Sequence, residues 1–193
     1  ELSAEVLRGP DTRRQEASAA FGFWCRRARL EALAARHASP LPRLGRGLAF
    51  HLAPANVPAL FAYTLAIGLL AGNANVVRLS SRRMEGEAPL LAALRRVLER
   101  PEHAAVRART SLITYGRDDA VTADYCARCD ARIVWGGDAT VAAVRAMPMP
   151  PHAVELCFPD RWSLAVFSQR AFSALTPEER GLVFGRVMEG RSY

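Results

Sequence analysis

The chain has 193 residues, long enough for one well-buried domain and short for two. Half of it is hydrophobic and 23% is charged, an ordinary globular composition. The net charge of +7 comes entirely from arginines spread along the chain. They are not interleaved with aromatics as a nucleic-acid reader requires, and their sign suits an acidic ligand such as a dinucleotide or coenzyme A.

In chain order, residues 13–37 read as one packing helix with Phe21, Trp24, Leu30 and Leu33 among arginines, and Ser39-Pro40-Leu41-Pro42-Arg43 as an extended connector. Residues 47–52 form a short apolar strand. Pro54 and Pro58 break it before a helical run over 59–70, which leaves Asn56 in a strand-to-helix turn. Gly72-Asn73 stops that helix, and a second strand over 75–79 delivers Arg78, Ser80, Ser81 and Arg82 at its C-terminal end. Residues 85–100 form an amphipathic helix with Leu90, Leu91, Leu94, Val97 and Leu98 on one face, stopped by Pro101. A third strand over 111–115 ends at Gly116, and Asp118 caps a helix reaching residue 127. A fourth strand over 131–135 ends at Gly136-Gly137, and Asp138 caps a helix reaching residue 147. Strand-like runs over 153–158 and 163–167 follow three prolines, and a last helix starts at Thr176-Pro177 and carries Leu182, Val183, Phe184 and Val187 toward Gly190. Four successive strand–helix alternations predict a doubly wound parallel sheet with right-handed crossovers, whose ligands sit at the C-terminal ends of the strands.

Residues 52–77 carry no charge, but Pro54, Asn56, Pro58, Asn73 and Asn75 cut their apolar core below the roughly 20 residues of a membrane span. Cys25 and Cys157 read as small packing hydrophobes. Cys126-Ala127-Arg128-Cys129 has C-x-x-C spacing without the second pair or the histidines that complete a zinc set, so no metal site is expected. With neither a signal peptide nor a disulfide pattern, the expected compartment is the cytoplasm.

The Pro54-Ala55-Asn56-Val57-Pro58 turn, the Gly72-Asn73 helix end and the strand ending in Arg78 with Ser80-Ser81 are followed by Arg132-Ile133-Val134-Trp135-Gly136-Gly137-Asp138-Ala139-Thr140-Val141 and Val154-Glu155-Leu156-Cys157-Phe158. That succession closely resembles the aldehyde dehydrogenase superfamily, and within it the long-chain acyl-CoA reductases of the bacterial luminescence type, the LuxC family. The resemblance runs from about residue 47 to 168. It implies a Rossmann-like NAD(P)-binding α/β domain over 47–168. A helical segment and connector over 1–46 would precede it, and a C-terminal helix over 169–193 would lead toward a catalytic domain outside this sequence. The implied activity is NADPH-dependent reduction of a fatty acyl-CoA to an aldehyde through a cysteinyl thioester; a homo-oligomer is left open.

The resemblance also implies roles. Asn56, in the turn set by Pro54, offers its amide N–H to the thioester oxyanion; on residue type alone it equally suits a turn-stabilising asparagine. Arg78 meets the adenosine ribose or its phosphate, where relatives usually have lysine, unless it is a plain surface arginine. Ser80 and Ser81, with no acid between Arg78 and Arg82, leave room for a 2′-phosphate and favour NADP(H). Gly116 lies at the same edge. Gly136 and Gly137 offer backbone N–H groups to the pyrophosphate, and Thr140 adds a hydroxyl. Glu155 takes the general-base position, in an apolar run expected to raise its pKa, although a lone strand glutamate is otherwise a solvated charge. Cys157 and Phe158 stand where two glycines are usual. No cysteine lies where the family's nucleophile belongs, so the chain by itself is not expected to reduce acyl-CoA. Short-chain CoA-acylating aldehyde dehydrogenases and glutamyl-phosphate reductases share these motifs, and a non-catalytic nucleotide or nucleic-acid binding module is the alternative of another class.

Overall fold

In the computed structural model, which describes residues 1–54, 56–81, 86–116, 118–160 and 166–189, four short helices precede the first strand. They are α1 (Leu2–Arg8), α2 (Pro10–Arg14), α3 (Glu16–Trp24) and α4 (Arg27–Arg36). The single helix expected over 13–37 is therefore broken, at Gln15 and at Arg26, both in extended conformation. Helical phase explains the second break. Nine residues at 100° each set Leu30 opposite Phe21 on a continuous helix, so one face could not bury both. Phe21 is buried, packs edge-on against Tyr63 with ring centroids 4.9 Å apart and stacks on Trp24, whereas α4 buries nothing.

The alternating part follows: β1 (Leu48–Leu52), α5 (Leu60–Leu70), β2 (Ala74–Leu79), α6 (Glu87–Leu98), a 3-10 turn (Pro101–His103) with α7 (Ala104–Arg107), β3 (Thr110–Thr114), α8 (Asp119–Arg128), β4 (Ala131–Trp135), α9 (Asp138–Arg145) and β5 (Val154–Phe158). The five strands form one all-parallel sheet of order β3-β2-β1-β4-β5. Strand order runs outward from β1 in one direction to β3, then reverses to β4 and β5. Constant crossover handedness then puts α5 and α6 on one face and α8 and α9 on the other. On the first face Val77 and Leu79 pack with Phe61, Leu65, Leu90 and Leu94 and with Val6 and Phe21 of the N-terminal helices. On the second, Phe50, Leu52 and Val134 pack with Cys126, Val141 and Val144. Each fully buried large apolar side chain contributes about 1.5–3 kcal/mol. Ion pairs from Arg96 and Arg100 to Glu5 and from Arg100 to Glu1, with a hydrogen bond between His103 and Glu1, clamp α1 to the α6 end of the sheet.

Local signals fix the element ends. Asp118 accepts hydrogen bonds from the backbone N–H groups of Ala120 (3.0 Å) and Val121 (3.1 Å), the expected N-cap of α8. Asp138 does not cap α9: the cap position is Gly137, and Asp138 stands in the first turn, where its charge suits the helix dipole. At the end of α5, Gly72 takes a left-handed φ of +82°, and its carbonyl lies where a Cβ on Gly45 would come within 2.3 Å. No helix among the described residues is long and apolar enough to cross a membrane.

Gly68, inside α5, faces the sheet with no room to spare: a Cβ there would lie 2.0 Å from Asn75 Oδ1 and 3.1 Å from His51 Nε2, both in buried residues. Gly68→Ala is therefore expected to lower stability by about 2 kcal/mol, despite a helix-propensity gain of about 1 kcal/mol. Urea denaturation reads this directly, and a midpoint equal to or above the parent's would rule out the steric argument.

Residues 160–193 make a second compact unit, with α10 (Gln169–Ser173) and α11 (Pro177–Glu189). Thr176 and Glu179 close α11 reciprocally: the Thr176 N–H donates to Glu179 Oε2 at 2.8 Å, and the Glu179 N–H to Thr176 Oγ1 at 3.2 Å. Phe172 packs against Phe167 and Phe184 within this unit. Arg82, Glu85, residues 163–165, the side chain of Val187 and Gly190, all named in the sequence reading, lie outside the described residues.

Candidate functional site

Because the strands are all parallel, everything that directly follows them lies at one edge of the sheet. Asn56 follows β1, Ser80 and Ser81 follow β2, Gly116 follows β3, and Gly136-Gly137 follow β4. The order reverses between β1 and β4, and that crevice is the topological switch point at which open α/β sheets bind ligands.

The turn after β1 is anchored by the Ala53 N–H, which donates to the Arg78 carbonyl at 3.1 Å, and by the Leu60 N–H, which donates to the Val57 carbonyl at 3.2 Å. Pro54 and Pro58 are half-buried, whereas Asn56 is exposed. Among the described residues its side chain takes no hydrogen bond, so the amide is not spent on the turn. Pro54, Val57, Pro58 and Phe61 line a small pocket with Ser80 and Glu87.

Arg78 leans away from that pocket toward β3. Its Nη2 donates to the Tyr115 carbonyl at 3.3 Å, and its guanidinium carbon sits 5.2 Å from the centroid of the Tyr115 ring. Tyr115 Oη lies 3.0 Å from Thr122 Oγ1, and burial pushes the phenol's pKa up. Among the described residues the guanidinium has no other hydrogen-bond acceptor. Ser81 is exposed. Gly116 is exposed with open space around it, so no close approach dictates glycine there.

At β4, the Gly136 N–H donates to the Phe158 carbonyl at 3.3 Å, and the Gly137 carbonyl accepts from Thr140 (2.9 Å) and Val141 (3.0 Å) to start α9. A Cβ on Gly136 would lie 3.1 Å from the Thr140 methyl and Cβ, so these two positions pack as a pair; Thr140 itself is exposed. Trp135, just before the turn, stacks on Phe158 with centroids 3.8 Å apart and planes 8° from parallel.

Glu155 does not join this group. It is the second residue of β5, three residues before the strand's end, which is about 10 Å at the rise of a strand. Its partner in register is Arg132 of β4, with a side chain 3% exposed. Arg132 Nε donates to Glu155 Oε2 at 2.9 Å and Nη2 donates to the same oxygen, while Arg145 Nε donates to Oε1 at 2.8 Å. The raised pKa expected from an apolar run is overturned. Burial does push the carboxyl up, but hydrogen bonds from Arg145, Cys157 and Arg132 outweigh it and hold the group below its ordinary value.

The four cysteines are free thiols. Cys126 and Cys129 are buried in the core under β1 and β4, the Cys129 thiol donates to the Cys126 carbonyl at 3.3 Å, and burial pushes its pKa up to about 11. Burial likewise raises the thiols of Cys25 and Cys157, which disfavours their thiolates.

Sequence reasoning missed Glu87, Tyr115 and the polar cluster beside Trp135. Glu87 is 8% exposed and lines the pocket with Ser80. An acid in the first turn of a helix reads as a dipole partner, and only the tertiary fold shows it turned inward.

The family model of acyl-CoA reductase (LuxC) matches residues 25–181, well over half of the chain. Among solved structures, the chain superposes on lactaldehyde dehydrogenase from Escherichia coli with a TM-score of 0.55 at 17% identity, covering 81% of this chain and 35% of that one. Glyceraldehyde-3-phosphate dehydrogenase GapN from Methanocaldococcus jannaschii, solved in complex with NADP, gives 0.55 at 15% identity over 81% and 36%. PnpE from Pseudomonas sp. WBC-3 gives 0.54 at 14% over 81% and 34%. At these identities the likeness establishes the fold, and the chain spans about a third of the length of these structures. No curated protein matches the sequence.

Proposed function

The chain belongs to the acyl-CoA reductase (LuxC) family, and on that premise we propose that it supplies the cofactor-binding part, residues 47–168, of an enzyme reducing a fatty acyl-CoA thioester to an aldehyde with NADP(H). The observation that supports this reading best is the gathering of Asn56, Ser80, Ser81, Gly116, Gly136 and Gly137 at one sheet edge on both sides of the β1–β4 switch point. A nicotinamide cofactor bound there would supply the hydride. At the start of α9 the Gly137 N–H would point at its pyrophosphate, the Gly136 N–H being held by the Phe158 carbonyl, with Thr140 adding a hydroxyl. Arg78 would hold the adenosine ribose or its 2′-phosphate beside Ser80 and Ser81. Asn56, exposed and uncommitted, would donate to the thioester oxygen as charge develops on it.

The acyl-accepting cysteine is assigned to sequence other than this chain, since Cys126 and Cys129 are buried in the core and burial raises the thiols of Cys25 and Cys157. Glu155 can serve as the general base only through Oε1, whose partner Arg145 is a surface side chain, because Oε2 is committed to buried Arg132.

Cofactor choice balances Arg78 against Glu87: the guanidinium attracts a 2′-phosphate and the carboxylate near Ser80 repels one. The proposal takes the arginine to prevail. Calorimetry is expected to show NADPH binding about tenfold tighter than NADH, with the preference lost in Arg78→Ala. Equal affinities would refute the NADP(H) assignment, and binding of neither nucleotide would refute the cofactor reading itself.

A further inference from the structure

A buried hydrogen-bond chain leads from the middle of the sheet to the residue before the glycine turn. His51 of β1, 2% exposed, places Nδ1 2.7 Å from Thr64 Oγ1 of α5 and Nε2 3.0 Å from Asn75 Oδ1 of β2. Asn75 Nδ2 donates to the Asn73 carbonyl at 2.9 Å, and Trp135 Nε1 donates to Thr64 Oγ1 at 3.4 Å. The two ends fix every proton between them. A carbonyl only accepts and an indole N–H only donates. Asn75 must therefore turn its NH2 to Asn73 and its Oδ1 to His51, which carries its proton on Nε2. Nδ1 is then an acceptor, so the Thr64 hydroxyl gives it a proton and receives the indole N–H on a lone pair. All groups are satisfied with a neutral imidazole. Burial favours the same state, pushing the His51 pKa down against the hydrogen bond to Asn75.

Packing alone gives no reason for this chain. Apart from Thr64 and Tyr63, α5 is apolar, and leucine at 51 with valine at 64 would fill similar space without those partners to satisfy. What the chain adds is direction. It holds one edge of the Trp135 ring while Phe158 holds its face, and the backbone that leaves Trp135 enters Gly136-Gly137, two residues with no side chains of their own to fix them. We propose that Thr64, oriented by His51, is a positioning residue: it pins Trp135 and thereby sets the Gly136-Gly137 turn, and with it the Gly137 N–H, where the cofactor pyrophosphate binds. This rests on the cofactor reading given above.

Thr64→Val keeps the shape and removes the hydroxyl, whereas Thr64→Ser keeps the hydroxyl, and both are to be compared with the parent chain by two-dimensional NMR and by NADPH titration. The Trp135 indole resonance and the Gly136 and Gly137 amide resonances are expected to move in Thr64→Val and to return in Thr64→Ser. NADPH affinity should fall about tenfold in the first and recover in the second. Glycine amides unmoved in Thr64→Val would overturn the proposal whether or not nucleotide binds. Equal loss of affinity in both variants would also overturn it, marking a packing role. Should the amides move in Thr64→Val alone while the parent binds no nucleotide, the cofactor reading fails and the pinning of the turn by Thr64 stands.

Discussion

Glu155→Gln is expected to cost about 3 kcal/mol of folding free energy, because it leaves the Arg132 guanidinium buried without its counter-charge. The effect should depend on pH with a definite sign. The carboxyl's pKa is lowered in the folded chain, so its contribution is complete above the ordinary carboxylate range and is lost as pH falls through the folded value. Urea midpoints in neutral and acid buffer should therefore converge for parent and variant as the solution is acidified. The double variant Arg132→Met, Glu155→Leu should recover much of the loss, since apolar replacement of a buried pair is often neutral. A Glu155→Gln protein as stable as the parent, yet slowed in acyl transfer when tested in a complete enzyme, would give this residue the base role and remove the stabilising role of its pairing with Arg132.

Asn56→Ala carries the second large effect, in an enzyme that includes the acyl-accepting cysteine. If the amide donates to the thioester oxygen only as charge develops, single-turnover acylation should slow roughly a hundredfold, about 3 kcal/mol, with NADPH affinity unchanged. The turn itself should survive, because backbone bonds from Ala53 and Leu60 and the two prolines hold it without the Asn56 side chain. A fall in melting temperature together with weaker cofactor binding, at an unaltered acylation rate, would make Asn56 a turn residue and end the oxyanion assignment.

What the sequence made legible was local. β4 occupies the expected residues 131–135, the Asp118 cap makes its two bonds, and Gly72-Asn73 ends α5, each dictated within a few residues by turn and cap chemistry. The gathering of motifs at one edge followed from strand–helix alternation alone. What escaped depends on distant partners. Glu155 reads as a carboxylate among apolar neighbours until β4–β5 register sets Arg132 beside it, twenty-three residues away. His51 reads as one more strand residue until α5 and β2 bring Thr64 and Asn75 to its two nitrogens. The helix over 13–37 failed for another reason: its apolar residues have helical spacing in each half, but the halves are out of phase.

The sheet order also sets a timetable for assembly. β1, α5 and β2 are consecutive, so this unit can close as soon as residue 79 is made, whereas the other side of β1 awaits β4, with Leu48 bound to Asp130 across a separation of 82 residues. At roughly 5–20 residues per second, synthesis of the stretch between β2 and β4 leaves that interval open for roughly 3–10 seconds. During it the central strand of the finished protein is an edge strand, with Ala49, Phe50 and Leu52 flanking an unpaired row of amides and carbonyls. Such an edge templates pairing between chains. Aggregation of nascent chains should thus be governed by the time before β4 docks, and slowing translation between residues 80 and 131 should worsen it even when the stability of the completed fold is unaltered.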